Sequence, residues 1–386
     1  MLAVRRLYWP AINLIGPGCV KEIGQEVINL GKTKALFVTD KVLNQIGVVK
    51  QVTDVLDASG ITYVVYDDVK PNPTTQNVND GLALYKEAGC DFIISLGGGS
   101  PQDAAKAIGI LSTNGGNIVD YEGIGKSKNK SAPIIAINTT AGTASEVTVN
   151  YVITDEHRKI KMVMVDPNSL ATVAVNDPEL MVKKPKGLTA ATGMDALTHA
   201  VEAYVTAGAF PLSDAIALQA IKFIANSLEK AVNNGADVEA RSEMAWGSFT
   251  AGLSFSNCGL GIVHSMAHQL GSEYDLPHGV ANAILLPYIM EFNLDSAPKK
   301  FAEIAAAMGE DTSKAANELE AAKLALEAVR KLSKAVGIPS LKETSFNPDD
   351  AAKLAAQAMN DVCTGGNPKP VTAEDMIALY LKAYNG

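Results

Sequence analysis

Cysteine is scarce in this chain, and the few cysteines are badly placed for any shared task. Cys19, Cys90, Cys258 and Cys363 stand far apart, with no CxxC spacing among them. That pattern excludes a disulfide framework and a thiolate-built metal cluster, and points to reduced thiols of the cytosolic kind. Long apolar runs are also missing: nothing approaches the roughly 18 residues needed to span a bilayer. The opening stretch MLAVRRLYWPAINLIG has neither the apolar core nor the small-residue cleavage site of a secretory signal. A soluble, cytoplasmic protein is expected. Basic residues are in deficit, 33 Lys and Arg against 42 Asp and Glu for a formal net charge of -9. This argues against nucleic acid or a membrane surface as a partner. Internal repeats, low-complexity tracts and the GxGxxG dinucleotide fingerprint are all absent.

What remains is a compact globular composition, 47% hydrophobic and 19% charged, in a chain of 386 residues. That length suits two domains, each able to bury a core. In the first half, β-branched runs alternate with helical stretches. Ala35–Thr39, Ile61–Tyr66, Phe92–Leu96 and Ile134–Ile137 read as strands, with helices over Val49–Ala58 and Val78–Ala88. The alternation predicts an α/β domain with a mostly parallel sheet, its strands covered on both faces. Tyr151–Val165 has two β-rich arms around a polar centre and reads as a hairpin. A basic, proline-containing joint at Lys183–Gly187 then marks a change of character. Beyond it, Ser213–Leu228, Asp237–Ala251, Ser313–Ala335 and Asp349–Met359 show helical spacing. The expected division is an α/β domain over 1–184 and an all-helical domain over 185–386.

Histidine is nearly as rare as cysteine, but it is concentrated. Of five histidines, His199 lies in GMDALTHAVEAY beside Asp195, and His264, His268 and His278 lie in GIVHSMAHQLGSEYDLPHGVANA. Asp195 and His199 are four residues apart, as are His264 and His268, so each pair shares a helix face. Imidazole with carboxylate and no thiolate suits a borderline divalent metal. Spacing leaves open which histidines are the ligands. His157, in the polar hairpin tip, reads as a solvated residue.

Two loops in the first half carry a different chemistry. Gly97–Ser100 (GGGS) follows one strand and opens a helix, with Ser100 in place to cap it, Pro101 at its first position and Asp103 placed for a reciprocal cap. Glycines admit close backbone approach, and a helix N-terminus offers N–H groups to a pyrophosphate. Thr139–Thr143 (TTAGT) follows the next apolar strand. Loops of this kind at the carboxyl ends of parallel strands define a ligand crevice. Asp40 also ends a strand; it can cap a helix or bond a ribose 2′-hydroxyl, where its charge favours NAD over NADP.

The stretches GGGSPQDAAK, NTTAGTASEVT, TAATGMDALTHAVEAY and GLGIVHSMAHQLGSEYDLPHGVANAILLP resemble the iron-dependent (group III) alcohol dehydrogenase family over nearly the whole chain. NYVITDE and DVCTGGNP are most similar to its lactaldehyde and propanediol branch. The resemblance implies that Asp195, His199, His264 and His278 bind one Fe(II), with Zn(II) as the alternative. It makes His268 a catalytic residue near the nicotinamide that relays protons. It assigns Gly98, Gly99 and Ser100 to the pyrophosphate, and Thr139, Thr140, Thr143 and Lys161 to phosphates, ribose and the nicotinamide side. Asp40 and Asn72 fall at the adenosine end or cleft wall, while Asn150, Phe255 and Cys363 line the substrate pocket. Where many relatives read GTGSE, this chain has Gly142-Thr143-Ala144-Ser145-Glu146.

The implied activity is NAD-dependent, metal-dependent interconversion of small primary alcohols or diols and their aldehydes. A nucleotide held by the first domain would face a metal held by the second, and the family implies a homodimer or larger assembly. Two competitors are a lyase of the dehydroquinate-synthase-like fold and a metal-stabilised, non-catalytic binding module. The module predicts that metal removal unfolds the protein and that NADH does not bind, and the fourth metal ligand argues against the lyase.

Overall fold

The computed structural model describes residues 4–386; the first three residues of the N-terminal stretch lie outside the described residues. The chain forms two compact units. One comprises residues 4–140 and 144–182, the other Ala141–Thr143 and Lys183–Gly386.

Among the described residues the first unit holds nine strands: β1 (Ile12–Ile15), β2 (Lys34–Val38), β3 (Thr62–Tyr66), β4 (Phe92–Gly97), β5 (Gly123–Ile124), β6 (Ile134–Asn138), β7 (Asn150–Asp155), β8 (Ile160–Val165) and β9 (Val173–Asn176). Six form a sheet in the order β1-β9-β6-β4-β2-β3, and every pairing in it is parallel. Helices α1 (Ile23–Asn29), α2 (Lys41–Gln45), α3 (Val48–Ala58), α4 (Thr75–Glu87) and α5 (Gly99–Asn114) connect the strands. Alternate residues of each strand feed two separate cores. Leu36, Val38, Ile93 and Ile134 pack on one face, and Ala35, Phe37, Ile94 and Ile135 on the other. Burial on both faces is why these strands read as unbroken apolar runs. β7 and β8 pair antiparallel as the expected hairpin, with the short β5 alongside β8.

The strand order also locates a ligand crevice. From β2 the chain steps outward to β3, then crosses back to place β4 on the other side of β2. Direction therefore reverses between β2 and β4, and ligands of open α/β sheets bind beyond the carboxyl ends of strands at such a point.

The second unit is helical: α6 (Lys186–Val205), α7 (Pro211–Asn233), α8 (Val238–Cys258), α9 (Ile262–Tyr274), α10 (His278–Asn293), α11 (Pro298–Ala307), α12 (Glu318–Ala335), α13 (Ala351–Ala358) and α14 (Ala373–Asn385). α6 is its centre: every residue from Gly193 to Val205 is buried. A helix covered all round cannot keep polar side chains in solvent, so Asp195, His199 and Glu202 must find partners inside. No helix of the described residues is long and apolar enough to cross a membrane.

Candidate metal centre and cofactor loops

The polar face of α6 meets the first turns of α9 and α10. One donor atom each from Asp195, His199, His264 and His278 lies within 4.8 Å of the others, and the first three residues are buried. Gly279 permits the approach of α10: a Cβ there would collide with the Ala191 carbonyl and stand 3.2 Å from Asp195 Cβ. Burial lowers the pKa of His199 and drives that of His264 well below the ordinary value, so both imidazoles are neutral and keep a lone pair. His199 Nδ1 is buried with no hydrogen-bond partner. Three imidazoles and one carboxylate with convergent donor atoms fit a single divalent cation.

Outer partners fix the orientation of these rings. Glu202 Oε2 lies 2.5 Å from His264 Nδ1, while its Oε1 accepts from the Val263 backbone N–H at 2.7 Å. Burial pushes Glu202 up to about 8, against the lowering effect of backbone N–H bonds from α9's start. A cation on His264 Nε2 leaves that ring's one proton on Nδ1, where Glu202 accepts it as a carboxylate. Phe255 stacks on His199 with ring centroids 4.3 Å apart, so the residue is both core and a wall of the centre.

His268 is a neighbour, not a member of the donor set. Its ring stacks on His278 at 5.4 Å, but its Nδ1 is 2.8 Å from Asp361 Oδ2. Desolvation would raise Asp361, yet His268 and the bond from the Cys363 backbone N–H hold it down to about 2. Cys363 sits beside this pair, and burial pushes its thiol well above the usual value. Sequence reading missed Glu202, Asn282 and Asp361. Helical spacing could have found two of them, since Glu202 is three residues beyond His199 and Asn282 four beyond His278. Asp361 arrives from 93 residues past His268 with no sequence signal. His157 is exposed at the hairpin tip.

The two loops expected to hold the cofactor follow β4 and β6, and Asp40 follows β2. Thr139 N–H donates to Gly97 O at 3.1 Å, and a Cβ on Gly98 would stand 3.0 Å from Thr140 Cγ2. The two loops therefore touch, and a side chain at Gly98 would require Thr140 to shift. The expected cap is corrected: α5 begins at Gly99 with Gly98 as its cap, so Ser100 lies inside the first turn. Gly98 is extended (ψ -155°), which starts the helix earlier than the sequence suggested. Asp103 is not a reciprocal cap either; its carboxylate accepts from Ser145 Oγ at 2.7 Å and from the Val152 N–H at 3.0 Å. Asp40 does cap α2, accepting from the Leu43 N–H at 2.9 Å. Asn72, left-handed at φ 55°, accepts from Lys161 Nζ at 3.0 Å, which brings together two residues 89 apart in sequence. Thr143 falls in the short Ala141–Thr143 segment that belongs to the second unit.

Beneath the loops runs a buried polar chain. Thr140 N–H donates to Asn138 Oδ1, Asn138 Nδ2 to Asn176 Oδ1, and Asn176 Nδ2 to Glu146 Oε1. Burial pushes Glu146 up to about 7, and its Oε2 has no hydrogen-bond partner. The buried Lys106 donates to Ser145 Oγ and to the backbone carbonyls of Thr148 and Asn150, which pins the segment that starts β7. Ala144 is left-handed at φ 51°.

Fold and centre together define a class: a parallel α/β nucleotide-type sheet followed by helices bearing a histidine–aspartate metal centre. Family descriptions match both parts, "iron-containing alcohol dehydrogenase" over residues 10–178 and "Fe-containing alcohol dehydrogenase family, C-terminal" over 189–384. The lactaldehyde reductase of Escherichia coli (strain K12) is 49% identical over 372 residues, 96% of this chain and 97% of that protein. The NAD-dependent methanol dehydrogenase of Bacillus methanolicus is 44% identical over 375 residues, 97% of this chain and 98% of that one. A crystal structure of 1,3-propanediol oxidoreductase superposes with a TM-score of 0.97 at 45% identity, covering 99% of this chain and 100% of that one. The chain belongs to the iron-containing alcohol dehydrogenase family. The dehydrogenase expectation holds, and neither the lyase nor the binding module is favoured.

Proposed function

We propose that this alcohol dehydrogenase interconverts small primary alcohols or diols and their aldehydes, with NAD as hydride partner and Fe(II) as resident metal. Zn(II) is the alternative ion. Lactaldehyde with 1,2-propanediol, or the 1,3-propanediol pair, is the substrate class, in keeping with the names of the relatives. The observation that carries the metal reading is the convergence of Asp195, His199, His264 and His278 within 4.8 Å.

Bound there, a divalent ion supplies Lewis-acid withdrawal that lowers the pKa of the substrate hydroxyl, and NAD supplies the hydride acceptor. The chain's own residues do the rest. Glu202 keeps the His264 proton on Nδ1. Asp361 does the same for His268, which leaves Nε2 to accept and return the alcohol proton. Phe255 covers one face of His199 and excludes water there. Gly98, Gly99 and Ser100, with the first-turn N–H groups of α5, receive the pyrophosphate. Thr139, Thr140, Thr143 and Lys161 contact phosphates, ribose and the nicotinamide side, and Asn72 orients Lys161. Asp40 repels a 2′-phosphate and so selects NAD. Asn150, Phe255 and Cys363 line the substrate pocket. The working form is a cytoplasmic homodimer or larger assembly.

The test is an anaerobic NADH-oxidation panel of lactaldehyde, glycolaldehyde, 3-hydroxypropanal, butanal and formaldehyde, before and after chelation and metal return. Turnover lost on chelation and restored by Fe(II) supports the reading. Restoration by Zn(II) alone corrects the metal, and no turnover with any aldehyde overturns the function.

A further inference from the structure

Asn282 stands one helical turn beyond His278 on α10 and is completely buried. Its Nδ2 lies 2.7 Å from Asp195 Oδ1, 3.1 Å from His264 Nε2 and 3.1 Å from His278 Nε2. One amide nitrogen thus faces three of the four donor residues, while its Oδ1 is buried with no hydrogen-bond partner. The orientation of the amide follows from its surroundings: only the NH2 end can face the Asp195 carboxylate, and an NH2 group donates, so the His264 Nε2 that the same nitrogen faces is an acceptor. Two hydrogens serve three acceptors. The charge-assisted bond to Asp195 is the shortest and takes one, and the two imidazoles share the other.

We propose that Asn282 is a positioning residue of the metal centre, which gathers Asp195, His264 and His278 and holds Asp195 so that its second oxygen is the ligand. The inference rests on the metal reading above. An imidazole nitrogen has a single lone pair, so an N–H and a cation exclude each other at His264 Nε2 and His278 Nε2. A carboxylate has two oxygens, so Asp195 can keep Asn282 on Oδ1 and still ligate through Oδ2. Cation binding therefore releases the imidazole contacts of Asn282 and retains the carboxylate contact. The asparagine assembles the donors at a spacing that a dication then takes over.

The experiment compares the full-length wild type with Asn282→Ala and Asn282→Asp in Zn(II) affinity by chelator competition and in the visible spectrum of the Co(II)-loaded protein. Folding is checked by circular dichroism. Asn282→Ala removes the gathering donor, and its affinity should fall 10- to 100-fold, as for other partners of metal ligands. Asn282→Asp keeps the shape and exchanges both N–H donors for a charged oxygen. Its affinity should rise several-fold, and its Co(II) bands should change as another oxygen approaches the ion. A residue that merely fills space would lower the melting temperature of both variants and leave affinity and spectrum at wild-type values; that result overturns the inference. If Asn282→Ala does not fold, the Asp variant decides alone, and unchanged affinity and bands reject the proposal. A wild type that binds no divalent ion overturns the metal reading itself, whereas a wild type that binds while both variants match it overturns only the role of Asn282.

Discussion

Glutamine at position 202 would keep the shape of the glutamate and exchange one oxygen for an NH2 group. Glu202 now serves two buried donors, the Val263 N–H at 2.7 Å and His264 Nδ1 at 2.5 Å. Glutamine has one acceptor for the two. If the NH2 faced Val263, donor would oppose donor, at a cost of about 1–3 kcal/mol for the buried unsatisfied N–H. The imidazole has an escape that the backbone lacks, because it can change tautomer. The amide oxygen should therefore stay on Val263 and the NH2 turn to His264, whose proton then moves from Nδ1 to Nε2. That protonates the nitrogen meant for the metal. Affinity for Zn(II) or Fe(II) should fall about 10- to 100-fold, or about 1.4–2.7 kcal/mol, with little change in fold. Glu202→Ala, by contrast, strands both donors and should cost about 2–6 kcal/mol of stability. Chelator competition measures the affinity, and 15N chemical shifts of the His264 ring report the tautomer. A Glu202→Gln protein with wild-type affinity and the proton still on Nδ1 would refute this account of how the ligand is prepared.

The remaining expectations follow from the same buried groups. Glu146 is held up to about 7, against 4.5 for the ordinary group. The folded chain then binds the extra proton between those values, so stability falls as pH rises from about 4.5 to about 7, by on the order of 3 kcal/mol, and levels off above. Glu146→Gln should flatten that slope in thermal melts across pH; an identical pH dependence in both proteins would count against it. Ala144→Gly should raise stability by about 1 kcal/mol, because a left-handed alanine pays a steric cost that glycine escapes; a lower midpoint in urea would contradict this. Asp361→Asn should cut turnover by about 100-fold or more through His268 while metal content, measured by elemental analysis, stays at the wild-type level. Loss of metal in step with activity would make Asp361 a support of the centre instead.

Much of the centre was legible because a helix repeats. Asp195 and His199 share a face four residues apart, and the same face carries Glu202, so one turn of arithmetic leads from ligands to outer partner. The choice between His264 and His268 was not legible, since both obey the same spacing. Through-space chemistry decides it, with Glu202 turning one ring toward the donors and Asp361 engaging the other. In the sheet, FIISL and IIAI announced themselves because both of their faces are buried. INLI at β1 and VAVN at β9 did not: four residues each, with a polar asparagine in both, give too little pattern to separate from loop. The Ser100 cap failed for a local reason, because a run of glycines can adopt extended backbone earlier than side-chain preferences indicate.

The place of β9 in the sheet has a consequence for how the chain is made. β1 pairs with β9 alone, and β9 lies between it and β6. β1 (Ile12–Ile15) is thus synthesised about 160 residues before the strand it pairs with (Val173–Asn176). At typical rates of synthesis that is roughly 8–32 s. Throughout that interval β1 lacks its strand partner, so closure of this edge of the sheet is set by the order in which the strands are encoded.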